Sequence, residues 1–134
     1  KGRGRNPGTT AAAGHELSWL SRRDPATGRF MSEYIGSEGM PVGLVDAELF
    51  ESAIADRTLE FGAGSTLVLY TDGLTEAPNA EEKEFGSARL ADALRGNHLG
   101  TARQINDSIL QAVEEFSGPS GLRDDYTLLT VKRT

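Results

Sequence analysis

Apolar residues along this chain follow two rhythms: short alternating or unbroken runs up to residue 70, and a helical period beyond it. Leu17, Trp19 and Leu20 precede Asp24-Pro25-Ala26-Thr27-Gly28, where proline presets φ and glycine supplies the position that returns the chain. This pattern predicts a hairpin joining residues 17–22 to 30–35. Residues 11–13 read as strand material broken at Gly14-His15, residues 36–43 as a glycine-shaped loop, and residues 52–59 as a half-buried strand. Gly62-Ala63-Gly64 then feeds residues 66–70, apolar without interruption from Leu67, as a strand covered on both faces should be. Two helices are predicted next. Residues 85–95 place Leu90 and Leu94 at i, i+4 with Gly96-Asn97 as the stop. Residues 102–116 place Ile105, Ile109, Val113 and Phe116 on one face, and Thr101 with Gln104 forms a capping-box signature. That stripe and Trp19 are the predicted core. A terminal strand is predicted over 125–131. Strands gather early and helices late, so the fold class is α+β.

Composition narrows the function more than the fold. The chain has 134 residues, 37% hydrophobic and 25% charged, which suits one globular domain and excludes collagen-like or disordered composition. No apolar run approaches the ~20 residues of a membrane span, and no secretory-type block opens the chain. With no cysteine, disulfides, thiolate metal sites and cysteine nucleophiles are all excluded. A cytoplasmic location without membrane contact is the expectation. The net charge of −6 divides into +4 over residues 1–30 and −10 over 31–134. Such an acidic body repels a phosphate backbone, so nucleic acid is not an expected partner. Residues 1–9, opening KGRGR, read as a basic glycine-rich linker, and residues 10–134 as the domain.

Familiar catalytic signatures are missing. There is no Gly-Lys pair for a phosphate loop, no second histidine after His15-Glu16 at zinc-protease spacing, and no Gly-x-Ser-x-Gly elbow. What remains is carboxylate chemistry at strand ends. The run 67–71 leads into Asp72-Gly73 with Glu76 just beyond, and Asp124-Asp125 opens the last predicted strand. An acid at the end of a rigid strand is well placed as a ligand, and oxygen-only donors select a hard cation such as Mg²⁺ or Mn²⁺. Each piece has an ordinary structural reading as well. Asp-Gly makes turns, Asp124-Asp125 can cap a loop, His15 can be a turn or core histidine, and Glu81, Glu82 and Glu84 can form a solvated acidic loop.

Taken in order, AAAGH (11–15), GMPVGL (39–44), STLVLYTDGLTEA (65–77), EFGSARL (84–90) and DDYTLLTVKR (124–133) resemble the second half of one family. It is the metal-dependent protein serine/threonine phosphatase family, in the branch of sporulation stage II protein E and the sigma-factor-regulating phosphatases. The resemblance covers about residues 10–133. It implies a layered α-β-β-α sandwich of two antiparallel sheets with helices outside, of which this chain holds the C-terminal part. It also implies that Asp72 and Asp124 are metal ligands, that Gly73 supports them by allowing close backbone approach, and that Asp125, Glu76 and His15 support them. His15 is followed by Glu16-Leu17 where relatives usually carry proline, a departure affecting the local loop.

The activity implied is hydrolysis of phosphoserine or phosphothreonine on a regulatory protein, such as an anti-anti-sigma factor. In the complete domain a binuclear Mn²⁺ or Mg²⁺ centre would acidify a water that attacks phosphorus in line, without a phospho-enzyme. The family pattern also requires an early Asp-Gly whose carboxylate bridges the metals. The only aspartate before residue 46 is Asp24, in a proline-containing turn. The chain is therefore expected to be an incomplete catalytic domain, inactive alone, with exposed strand edges that favour a dimer. The alternative is a degenerate phosphatase-fold module that binds a phosphoprotein without hydrolysing it.

Overall fold

A computed structural model describes residues 7–11, 17–24, 26–35, 56–121 and 124–134. Among these residues six strands are formed: β1 (Pro7–Ala11), β2 (Leu17–Arg23), β3 (Phe30–Ile35), β4 (Asp56–Glu60), β5 (Thr66–Tyr70) and β6 (Leu128–Lys132). The helices are α1 (Asp72–Thr75), α2 (Gly86–Gly96) and α3 (Ala102–Ser117), and a 3₁₀ turn over Gly118–Ser120 follows α3.

The predicted hairpin is β2–β3, and its turn is built as the sequence suggests. One Asp24 carboxylate oxygen accepts from Ala26 N–H at 2.7 Å and from Thr27 N–H at 3.2 Å. These backbone donors, above all Ala26, hold the carboxyl below its ordinary pKa. Gly28 takes φ +67°, the left-handed conformation that closes the turn. Asp24 is thus committed to its own loop.

The hairpin is one side of a four-stranded antiparallel sheet in the order β3-β2-β5-β6. β5 is an inner strand, pairing Tyr70 with Leu17 on one side and with Leu128 on the other. Its apolar run is explained by that position, since both faces are covered to some degree along its length. β1 and β4 pair antiparallel as a second, two-stranded sheet. Arg22 on β2 reaches toward it, pairing with Glu33 at 3.1 Å and Glu60 at 3.8 Å.

Helices α2 and α3 cover one face of the larger sheet. Leu90, Leu94, Ile105, Ile109 and Val113 close over Val68 and Tyr70, with Leu74, Ala77 and Phe85 completing the core. Phe116 packs against this cluster from a partly buried position, edge-on to Phe85 with ring centroids 5.7 Å apart. The capping box forms in full: Thr101 Oγ1 accepts from Gln104 N–H at 3.2 Å, and Gln104 Oε1 accepts from Thr101 N–H at 2.8 Å. Thr130 on β6 donates to Asn106 on α3 at 2.6 Å, fixing the helix to the sheet edge.

Three expectations change in detail. Strand β1 takes residues 7–9 out of the predicted linker, while residues 1–6 and 12–16 lie outside the described residues. The strand predicted over 52–59 is formed at 56–60, its earlier part lying outside the described residues. The last strand begins at Leu128, because Thr127 N–H bonds the side chain of Thr71 (2.9 Å) and not a ladder carbonyl. The fold is α+β with antiparallel sheets and a helical layer.

Candidate active site

The site begins where β5 ends. Thr71 caps the following turn in extended conformation, and Asp72 to Thr75 form the single helical turn α1. Asp72 Oδ1 accepts from Gly73 N–H at 3.0 Å, and its main-chain carbonyl accepts from Thr75 Oγ1 at 3.1 Å and Glu76 N–H at 2.8 Å. The direction of this carboxylate is thereby set by β5, an inner strand, and by one turn of helix. The reading of Asp72-Gly73 as a reversing turn does not hold. Gly73 is helical and not left-handed.

Its glycine answers to close backbone approach, as the family resemblance implied. A Cβ added at Gly73 would stand 2.5 Å from the Asp125 carbonyl oxygen and 3.3 Å from its carbon. The segment carrying Asp124 and Asp125 therefore lies directly against α1, at a separation only glycine permits. Two further bonds hold it there: Thr71 N–H donates to Thr127 O at 3.1 Å, and Thr127 N–H to Thr71 Oγ1 at 2.9 Å. Asp124 Oδ1 accepts from Asp125 N–H at 2.8 Å, and both aspartates are exposed. Two strand-end acids far apart in sequence are thus carried on segments in contact. His15 lies outside the described residues.

The donor set is all oxygen, which suits a hard divalent ion. It is also short: among the described residues, no group of three or more His, Cys, Asp or Glu side chains could hold a metal.

Residues 5–134 match the Stage II sporulation protein E (SpoIIE) family. The chain belongs to this family. Protein IcfG of Synechocystis sp. is 29% identical over 121 residues, which is 90% of this chain and 18% of IcfG. The fold matches the SiaA-PP2C domain of Pseudomonas aeruginosa with a TM-score of 0.70 at 22% identity, covering 94% of this chain and 46% of that one. It also matches the PP2C phosphatase domain of SpoIIE from Bacillus subtilis (with a fragment of its regulatory domain), with a TM-score of 0.65 at 20% identity over 92% of this chain and 33% of that one. The chain spans less than half the length of these relatives.

Beside Asp72 lies a cleft of about 680 Å³, lined by Trp19, Tyr34, Tyr70, Asp72, Glu76 and Glu84 among others. Glu76, the exposed residue that ends α1, is among the residues lining this cleft. Glu84 is exposed, as an acidic loop residue should be, yet it faces the same space. Trp19 is only partly core. It packs against the core cluster while its indole lines the cleft, edge-on to Tyr34 with centroids 5.8 Å apart. Burial pushes the Tyr70 phenol up to about 12, with the Trp19 indole beside it working against the rise. No local pattern signals this cleft, because its walls come from β2, β3, β5 and the α1–α2 connection.

Proposed function

We propose that this chain is the C-terminal part of a metal-dependent phosphoprotein phosphatase domain, hydrolysing phosphoserine or phosphothreonine on a regulatory protein with an activated water. The contact of Gly73 with the Asp125 carbonyl carries this reading, because it joins the two acidic strand ends that the chemistry needs together. Family membership and the fold shared with PP2C phosphatase domains support it.

In this reading Asp72 and Asp124 each give a carboxylate to Mn²⁺ or Mg²⁺, with further donors from the rest of the complete domain. One of the related B. subtilis structures is described as presoaked with Mn. When bound, a hard divalent cation supplies charge that polarises phosphoryl oxygens and acidifies water. The chain's own residues do the positioning. β5 and α1 aim Asp72, the Thr71–Thr127 pair keeps the second acidic segment in register, and Gly73 lets it approach. Asp125 contributes its main chain to this packing, a supporting role.

A second reading, a phosphoprotein-binding module without hydrolysis, is favoured by the short donor set among the described residues. One experiment separates them. Hydrolysis of phosphoserine and phosphothreonine peptides is measured with Mn²⁺, with and without chelator, for this chain and for the longest natural chain containing it. Chelator-sensitive hydrolysis by the longer chain is the expected result. Binding without hydrolysis by both would replace the enzyme with the binding module.

A further inference from the structure

The chain must leave the sheet at Thr71 for α1 to aim Asp72, and this breaks the ladder between β5 and β6 at one point. Arg133 N–H donates to Ser65 O at 2.9 Å, which marks residues 65 and 133 as a hydrogen-bonded pair of that ladder. Such pairs recur at every second residue, so Thr71 and Thr127 form one when the register is continued. A regular pair exchanges two main-chain bonds. One of them is made here, Thr71 N–H donating to Thr127 O at 3.1 Å. The other has lost its acceptor, because Thr71 O accepts Leu74 N–H at 3.1 Å and so opens α1.

The helical turn therefore takes the carbonyl that Thr127 N–H would use. Thr71 Oγ1 replaces it, accepting that N–H at 2.9 Å. The replacement makes a demand on the side chain. Thr71 is extended, with φ −95° and ψ 160°, a conformation that suits β-branched residues. Valine would fill the same shape, but only a side chain with an oxygen on Cβ offers the acceptor.

Among the described residues this is the one side-chain hydrogen bond between residues 71–76 and 124–127. Thr127 is exposed, so water can serve its N–H when the hydroxyl is missing, and the fold does not depend on the bond. Water would satisfy the N–H without fixing where it points. Asp124 and Asp125 precede Thr127 by three and two residues, so its register is theirs. A ligand carboxylate has to be held within about 0.5 Å of its working position.

We propose that the Thr71 hydroxyl is a positioning group for the divalent-cation site. It takes over the ladder bond that α1 removes, so that Asp72 leaves the sheet while the segment bearing Asp124 stays in register against α1. The Gly73 contact sets how near the two segments come, and the Thr71 hydroxyl sets how they are aligned. The proposal rests on the phosphatase reading and deepens it, adding a residue that acts through the ligands and touches neither cation nor substrate.

The longest natural chain containing these residues is compared with its Thr71→Val, Thr71→Ser and Thr101→Ala variants, the last losing a side-chain hydrogen bond at the start of α3. Bound Mn²⁺ is counted from the fall in the free ion's electron paramagnetic resonance signal. Hydrogen–deuterium exchange of residues 124–128 is followed in the metal-free proteins. Thr71→Val should weaken Mn²⁺ binding by roughly tenfold or more, as removal of an outer-shell partner does. It should also speed exchange over 124–128 while α3 exchanges as in the parent. Thr71→Ser keeps the oxygen and should retain most of the parent's affinity, and Thr101→Ala should match the parent. Parental Mn²⁺ affinity or unchanged exchange in Thr71→Val overturns the proposal. So does a loss in Thr71→Ser or Thr101→Ala as large as that in Thr71→Val, or a parent that binds no Mn²⁺. Hydrolysis of phosphoserine peptides is read on the same proteins. Mn²⁺-dependent hydrolysis by the parent, with parental Mn²⁺ affinity in Thr71→Val, removes the positioning role and leaves the phosphatase standing. Weakened Mn²⁺ binding in Thr71→Val, with no hydrolysis of any phosphopeptide by the parent, supports the positioning role and removes the phosphatase.

Discussion

Replacing Gly73 with alanine sets two physical effects against each other, and the structure says which prevails. By helix propensity alone the change should stabilise, since glycine inside a helix is about 0.8–1 kcal/mol worse than alanine. The packing argues the reverse. The new Cβ would stand 2.5 Å from the Asp125 carbonyl oxygen, so one partner must move about 0.5 Å to reach 3.0 Å and about 0.9 Å to reach 3.4 Å, the edge of ordinary contact. Asp125 cannot recede freely, because Thr127 is tied to Thr71 by bonds of 3.1 and 2.9 Å. Overpacking of this kind costs about 1–3 kcal/mol, and straining either tie adds part of the ~1 kcal/mol each contributes. After the propensity gain, a net loss of about 1–2 kcal/mol remains. For a domain of this size that is a fall in Tm of roughly 3–10 °C. Gly96→Ala is the control. It ends α2 with open space around its would-be Cβ, so it should be neutral or slightly stabilising. Urea melts of the three proteins decide the matter. Gly73→Ala as stable as the parent, or more stable, would refute the claim that the acidic segments are held in contact at this point.

Four further outcomes follow from the same structure. Asp72→Asn should abolish Mn²⁺-dependent hydrolysis in the intact protein, a loss beyond the roughly 10–100-fold typical of outer-shell partners; turnover near that of the parent would end its assignment as a ligand. Thr101→Ala removes one side of the capping box and should cost about 1 kcal/mol in urea unfolding with an unchanged m-value. Ile109→Ala empties a fully buried position of the core and should cost about 2–5 kcal/mol by the same assay. Tyr70 should make stability fall with pH between 10 and about 12, because the unfolded phenol loses its proton first and pulls the equilibrium toward the unfolded state. Tyr70→Phe should flatten that fall, and an identical pH profile for the variant would show that the buried phenol is not its source.

How much of this was legible in the sequence depended on the range of the forces involved. The hairpin, the capping box and the helix faces are written locally, in Asp24 to Gly28, in Thr101 with Gln104, and in the four-residue spacing of Ile105, Ile109 and Val113. The two acidic strand ends were legible as candidates, because an apolar run ending on Asp-Gly is a local signal. Their contact was implied by the family resemblance and by no local pattern. It depends on β5 pairing with β6 and on Thr71 meeting Thr127, fifty-six residues apart. Asp-Gly itself suggested a reversing turn, and tertiary packing selected one turn of helix instead. Trp19 read as core for a similar reason. Its strand position predicts burial, and only the assembled β2, β3 and β5 show that one edge of the ring borders a cleft.

Several departures from local optimality stand at one end of the larger sheet. There a glycine sits inside a helical turn, three acidic residues line one cleft, and a phenol lies buried with only the Trp19 indole beside it. None of these helps the chain to fold. Alanine at 73 would favour the helix, phenylalanine at 70 would remove a buried hydroxyl, and a lysine in place of Glu76 or Glu84 would relieve like-charge repulsion. The helical core beside it is packed with Leu74, Leu90 and Ile109 fully buried, and the hydroxyls of Thr66 and Ser117 lie buried without a partner elsewhere in the structure. Chains that satisfy the rules of packing in one region and break several of them in the neighbouring one mark the second region as a site. The broken rules also name its chemistry. Acid gathered at the strand ends calls for a cation, which under the proposed function is the metal that Asp72 and Asp124 would hold.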